Sequence, residues 1–351
     1  MYEFHWPTKT LIGPGSLDAV PEHLPQPTSH RRLMIAAPQE VWVQPVLAKL
    51  SAGLIDWGWK PPVIFAEVEP NPSWETVLAG VEKAKINEAN VLLAVGGGST
   101  LDAAKVIAER AEALFLCTVP TTAGTGGEIS PWAVISNLET REKESLTAKW
   151  PELAVLDPKI TTSLPPQITL FTGIDAFIHG LEAYLASAAN PITDALALKG
   201  MELVDHHLET ALKRGEDLQA RQGMLEGSLL TGAAMLHAGL GLMHAIGNVT
   251  GGLYHDLPHG LVLMSCMDAV LQYNQPAVGP KYQRIQPLVD RIRSLTEDYF
   301  QELSVPDVVV RSGDLDALAE RAAANVNAKT NPRPAAPEDI KAVVRKAFQV
   351  R

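Results

Sequence analysis

Five short runs in the first half of the chain, at 33–37, 63–66, 91–95, 114–119 and 153–156, are apolar without polar alternation. A strand with one wet face alternates. Strands apolar on both faces fit a parallel sheet covered by helices on either side. Segments 74–88 and 101–112 lie between these runs and carry helical spacing. Strand and helix in turn predict an open, mostly parallel α/β sheet. After Asp157-Pro158 the pattern changes. The stretch Thr161-Thr162-Ser163-Leu164-Pro165-Pro166 reads as a hinge, and the remaining chain is patterned almost entirely as helix, at 173–187, 191–214, 219–238 and 314–327. The expected organisation is an α/β domain over 1–160, followed by an all-α domain over 161–351. At 351 residues each has enough chain to bury a core.

Composition narrows the partners. The formal charge is -11 and no cluster of Lys and Arg stands out, which argues against nucleic acid and anionic membrane surfaces. The first residues lack the basic and apolar regions of a secretory signal, and no apolar run reaches the roughly 18 residues of a bilayer span. The two cysteines, Cys117 and Cys266, are far apart in apolar surroundings and read as small hydrophobes of a reducing compartment. A cytoplasmic protein is the expectation.

Two loops and four side chains carry the candidate chemistry. The run at 91–95 passes directly into Gly96-Gly97-Gly98-Ser99-Thr100-Leu101-Asp102. Glycines after a buried strand let a ligand approach the backbone, and Ser99 or Thr100 can cap a helix whose free N–H groups favour phosphate. Leu101 stands where a third glycine would complete G-x-G-x-x-G, so that fingerprint fails. A second polar loop, Pro120-Thr121-Thr122-Ala123-Gly124-Thr125-Gly126, follows the next strand, and paired loops at one sheet edge make a ligand crevice. In the helical half, Asp175 and His179 are four residues apart and share a helix face. His244 and His259 follow, fifteen apart. One carboxylate and three imidazoles suit a divalent transition metal such as Fe²⁺ or Zn²⁺. Asp175 also lies where it could cap a helix starting near Gly173. His206, His207 and His237 read as surface and packing residues.

Gly-Gly-Gly-Ser-x-x-Asp at 96–102, Pro-Thr-Thr-Ala-Gly-Thr-Gly at 120–126, Gly-Ile-Asp-Ala-x-x-His at 173–179 and Pro-His-Gly at 258–260 resemble, in order and context, the iron-containing (group III) alcohol dehydrogenases. The match spans nearly the whole chain. The resemblance implies a dehydroquinate synthase-like architecture, with metal and nicotinamide between an N-terminal α/β domain and a C-terminal helical domain. It implies that Asp175, His179, His244 and His259 hold Fe²⁺, with Zn²⁺ the alternative. It places Gly97, Gly98, Ser99 and Asp102 on the pyrophosphate and ribose of NAD or NADP, and Thr121, Thr122 and Thr125 on the adenosine and nicotinamide side.

The implied reaction is metal-dependent, NAD(P)-linked interconversion of a small alcohol and an aldehyde. Glycerol dehydrogenase-like and maleylacetate reductase-like oxidoreductases are alternatives, and a 3-dehydroquinate synthase-like lyase is a weaker one, since no Lys or Arg lies between His244 and His259. Glycerol dehydrogenase relatives use one Asp and two His. Family members usually carry a further histidine where this chain has Asn248, and the segment before His259 contains His255. Asn248 and His255 are therefore the candidates for proton relay, and with the loop in another register His255 could instead replace an expected ligand. The chain is somewhat short for the family. No carboxylate precedes Glu40 after the second strand, so nothing in that stretch repels a 2′-phosphate. A homodimer is expected, with 2–11 as the segment that could pair across it.

Overall fold

The computed structural model describes residues 1–351 other than Ser29, Ala113 and Arg141. One compact unit comprises His5–Pro165 with Arg214–Leu225. The other comprises Met1–Phe4, Pro166–Lys213 and Glu226–Arg351.

In the first unit the elements are β1 (Lys9–Ile12), the single turn α1 (Val20–His23), β2 (Leu33–Pro38), α2 (Gln44–Asp56), β3 (Val63–Val68), α3 (Trp74–Ile86), β4 (Val91–Gly96), α4 (Gly98–Arg110), β5 (Phe115–Pro120), β6 (Trp132–Asn137), β7 (Glu142–Thr147) and β8 (Leu153–Leu156). Six strands form one sheet in the order β1-β8-β5-β4-β2-β3, all paired in parallel, with β1 and β3 at its edges.

The unalternated apolar runs are explained by two cores, one on each face. Met34, Ala36, Phe65, Leu92, Ala94 and Leu116 pack with Val77 and Val81 of α3 and Leu101 and Ile107 of α4. Their strand neighbours Ile35, Ala37, Leu93, Val95 and Val119 pack with Leu47, Leu50 and Leu54 of α2. Because α2 and α4 lie on opposite faces, the connections leaving β2 and β4 diverge, and a crevice opens at the carboxyl ends of these neighbouring strands. The β6–β7 hairpin is antiparallel and separate from the sheet. It went unrecognised in the sequence because Glu142-Lys143-Glu144-Ser145-Leu146-Thr147 is largely exposed and lacks an apolar face.

The second unit holds α5 (Pro166–Leu185), α6 (Pro191–Lys213), most of α7 (Leu218–Ala238), α8 (Leu242–Leu253), α9 (His259–Glu302), β9 (Val309–Val310), α10 (Leu315–Ala324), α11 (Pro337–Ala347) and β10 (Gln349–Val350). From Gly173 to Leu185 every residue of α5 is buried, so this helix is surrounded on all sides. It starts at Pro166, not near Gly173, and Asp175 therefore lies in its interior and caps nothing. The long α9 breaks at Gly279, whose φ of 38° and ψ of -126° leave the helical region between Pro276 and Pro280. No single helix among the described residues is long and apolar enough to cross a membrane. Cys117 and Cys266 are both buried, and burial pushes their thiols well above the usual range.

Candidate metal centre and dinucleotide loops

Asp175 and His179 project from one face of α5, a turn apart. His244 is the third residue of α8, and His259 is the first of α9. These elements bring three ring nitrogens to one carboxylate oxygen. Asp175 Oδ1 lies 3.4 Å from His244 Nε2, 3.6 Å from His179 Nε2 and 3.9 Å from His259 Nε2. Asp175, His244 and His259 each offer a donor atom within 4.8 Å of the others. The rings of His179 and His244 stack with centroids 4.5 Å apart. Close approach is built into the backbone as well. A Cβ on Gly260, next to His259, would sit 2.2 Å from the carbonyl oxygen of Phe171 on α5, so only glycine lets the start of α9 reach this depth.

Three of the four donors are buried, with Asp175, His179 and His244 at most 6% exposed, while the His259 side chain is 32% exposed. Burial works to raise the Asp175 carboxyl. The charges of His179, His259 and His244 and the hydrogen bond from His244 outweigh it and hold the carboxyl far below its ordinary range. Burial likewise works to depress His244, but hydrogen bonds to Asp175 and Glu182 raise it to about 9. Without a metal, a proton on His244 would hold its ring between Asp175 and Glu182. The donor chemistry fits a divalent transition metal, whose bonds of about 2.0–2.2 Å would leave neighbouring donors roughly 3.0–3.5 Å apart. His255 is exposed in the turn between α8 and α9 and lies outside the donor cluster, so His259 alone of the two supplies a ring nitrogen there. Asn248 is half-buried on α8, one turn beyond His244.

In the other unit the two polar loops meet. Thr121 N–H donates to Gly96 O at 3.0 Å. A Cβ on Gly98 would lie 2.6 Å from Thr125 Cγ2, and one on Gly97 would lie 3.2 Å from Thr122 Oγ1. Gly97, Gly98, Ser99, Thr121, Thr122 and Thr125 are therefore gathered at the carboxyl ends of β4 and β5. Thr121 Oγ1 is buried without a hydrogen-bond partner, as expected of a hydroxyl reserved for a ligand. The expected capping differs. Gly97, which has no side chain, is the N-cap of α4, and Ser99 Oγ instead accepts from Asn71 N–H at 3.0 Å. The first-turn amides of α4 thus receive no side-chain cap from their own N-cap residue, which suits a phosphate.

Asp102 is committed within the protein. Its Oδ1 is 3.1 Å from Lys105 Nζ, and its Oδ2 accepts from Val134 N–H at 3.0 Å. Lys105 is fully buried and also donates to Trp132 O at 2.7 Å, tying α4 to β6. Burial pushes Glu128 up to about 7, despite Lys105 nearby.

Several residues around these loops escaped sequence reasoning. Asn71 adopts a left-handed conformation with φ of 56° and receives Lys143 Nζ on its side-chain oxygen at 2.8 Å. Burial lowers Lys143 to about 8, against the pull of Asp102. Pro70-Asn71-Pro72 is a turn signal at the correct sheet edge and could have been found. Lys143, on a solvent-patterned hairpin, had no such signal. Gln39 and Glu40 after β2, with Glu67 and Glu69 at the end of β3, line a cavity of about 330 Å³. Glu69 accepts from Ser73 N–H and Oγ–H, each at 2.8 Å, and from Thr76 Oγ1 at 2.6 Å. Burial works to raise its carboxyl, and those bonds bring it below the ordinary range.

Known proteins share this arrangement of sequence and fold. The family described as iron-containing alcohol dehydrogenase matches residues 7–158, and the C-terminal family of Fe-containing alcohol dehydrogenases matches residues 169–348. A 1-propanol dehydrogenase of Salmonella typhimurium is 35% identical over 312 residues, covering 79% of this chain and 83% of the relative. An NAD-dependent methanol dehydrogenase of Bacillus methanolicus is 30% identical over 391 residues, covering 99% of this chain and 100% of the relative. The crystal structure of a 1,3-propanediol oxidoreductase superposes with a TM-score of 0.90 at 29% identity, covering 99% of this chain and 100% of that one.

Proposed function

This chain belongs to the iron-containing alcohol dehydrogenase family, and we propose that it interconverts a small primary alcohol and its aldehyde with NAD(H) and one Fe²⁺. Its activity class is that of a metal-dependent, NAD(P)-linked alcohol dehydrogenase. The observation that carries the proposal is the convergence of His179, His244 and His259 Nε2 on Asp175 Oδ1, between 3.4 and 3.9 Å. A divalent cation held there supplies a Lewis acid for the carbonyl or alcohol oxygen, and the dinucleotide supplies or accepts the hydride.

The protein's own residues do the rest. Asp175, the one carboxylate among the donors, offsets only part of a dication's charge, and burial keeps bulk water from Asp175, His179 and His244, leaving His259 as the donor on the open side. Four protein donors favour Fe²⁺ over Zn²⁺, since an open position then requires more than four-coordination. Asn248, half-buried on α8 one turn beyond His244, carries an amide that cannot titrate, and we assign it to substrate positioning rather than proton relay. The participation of His179 weighs against the glycerol dehydrogenase-like alternative. Dehydrogenation of 1-propanol and methanol by relatives supports a small primary alcohol.

The carboxylates of Glu40, Glu67 and Glu69 around one cavity support NAD over NADP. The stretch after β2 suggests no repulsion of a 2′-phosphate, yet Glu67 of β3 and Glu69 just after it supply two of these three acids. An anion at this cavity would face Glu69, which its hydrogen bonds keep ionised.

Elemental analysis of anaerobically purified protein, followed by short aldehydes assayed with NADH and NADPH, tests the proposal. We expect close to one iron per chain and a clear preference for NADH. His259→Ala should lose both metal and aldehyde reduction while keeping its circular dichroism spectrum. Full turnover and metal retention in that variant would sink the assignment.

A further inference from the structure

We propose that Glu182 is a positioning residue of the metal centre, one carboxylate that both caps α8 and holds His244 with its Nε2 facing Asp175. The inference rests on the metal-centre proposal above and assigns a role to a residue that is not among the proposed donors.

The argument begins with an incomplete helix end. The N-cap of α8 is Gly241, which has no side chain to accept the free amides of the first turn. Side chains distant in sequence take them instead. Leu242 N–H donates to Asn331 Oδ1 at 3.2 Å, Met243 N–H to Glu182 Oε1 at 2.7 Å, and His244 N–H to Glu182 Oε2 at 3.3 Å. Glycine at 241 is what admits them, since a Cβ there would lie 2.7 Å from Glu182 Oε1 and 2.9 Å from Asn331 Oδ1.

The same carboxylate controls the ring. Glu182 Oε2 is 2.7 Å from His244 Nδ1, and both residues are at most 6% exposed. With backbone N–H groups already donating to both of its oxygens, Glu182 acts here as an acceptor, so the proton on this contact belongs to Nδ1. That leaves Nε2 as the nitrogen turned toward Asp175 Oδ1 at 3.4 Å. Fixing the ring's far nitrogen sets its tautomer and orientation and raises its basicity as a ligand. Glu182 lies seven residues beyond Asp175 and three beyond His179, on the same side of α5. One helix face therefore carries two donors and the group that orients a third.

Glu182→Gln preserves size but puts an NH₂ donor where one acceptor was, so the cap and the Nδ1 contact cannot both be kept. We expect its dissociation constant for Co²⁺ or Zn²⁺, measured by chelator competition, to rise about 10–100-fold. The d–d absorption of the Co²⁺-loaded protein should change with it. Asn331→Ala removes part of the cap without touching a ligand, and it should lower the thermal midpoint while leaving the metal dissociation constant within about threefold. If Glu182→Gln binds metal as tightly as the native chain, Glu182 is only a cap and the proposal falls. If the native chain itself binds neither ion, the metal-centre proposal fails first and takes this one with it. Should Glu182→Gln not fold, the native Zn²⁺-loaded protein decides, with ¹⁵N-labelled histidine. A slowly exchanging proton on His244 Nδ1 supports the proposal, and an unprotonated Nδ1 overturns it.

Discussion

Raising the pH on metal-free protein is a direct probe of the donor cluster. His244 titrates near 9 in the folded chain, against an ordinary 6.5, because Asp175 and Glu182 both accept from its ring. Its folded value lies above its unfolded one, so the native state binds the extra proton throughout that window. The stabilisation is complete below about pH 6.5 and is lost as pH rises through 9. A shift of this size corresponds to about 3 kcal/mol. Two other buried groups also titrate nearby. Glu128, raised to about 7, costs stability as pH climbs from about 4.5 to 7, and Lys143, lowered to about 8, restores some above that value. Both belong to the other unit, and a comparison with His244→Gln cancels them.

Denaturant titrations of chelator-treated native protein and His244→Gln between pH 6 and 9.5 should therefore differ by a stability gap that shrinks by about 3 kcal/mol. A gap that stays flat, or widens with pH, refutes the picture of a proton-held cluster. The same proton must leave Nε2 when a metal binds. Chelator competition should accordingly show affinity rising by up to about tenfold per pH unit below 9 from this group alone.

Other perturbations test the remaining contacts. Gly98→Ala drives a Cβ to 2.6 Å from Thr125 Cγ2; it should raise the KM for NADH more than it lowers kcat, and cost about 1–3 kcal/mol in thermal unfolding. Initial rates with an unchanged KM would count against the loop pair as the cofactor site. Gly260→Ala meets backbone rather than a movable side chain, at 2.2 Å from Phe171 O, so elemental analysis should find the metal depleted even where the variant folds. Lys105→Met strips Asp102 and Trp132 O of a shared buried donor. Calorimetry should register a loss of about 3 kcal/mol, moderated because Asp102 keeps some solvent.

Much of the fold was legible because its signals are local. A strand buried on both faces is apolar at nearly every position, and β2, β4, β5 (apart from Thr118) and β8 announce themselves that way. The spacing of Asp175 and His179 places two donors on one helix face without reference to anything distant, and the glycines after β4 mark a loop for the same reason.

What the tertiary structure decided lies in contacts between residues far apart in the chain. Glu182 and His244 are 62 positions apart and Asp175 and His244 are 69, separations at which no periodicity records a partner. That His259 and not His255 completes the cluster depends on where α9 begins and on Gly260 lying against α5. Folding also gave Asp102 to Lys105 and Val134, and it carried Glu67 and Glu69 beside Glu40. Periodicity reports which side of an element seeks burial. Only the packed chain determines what that side meets.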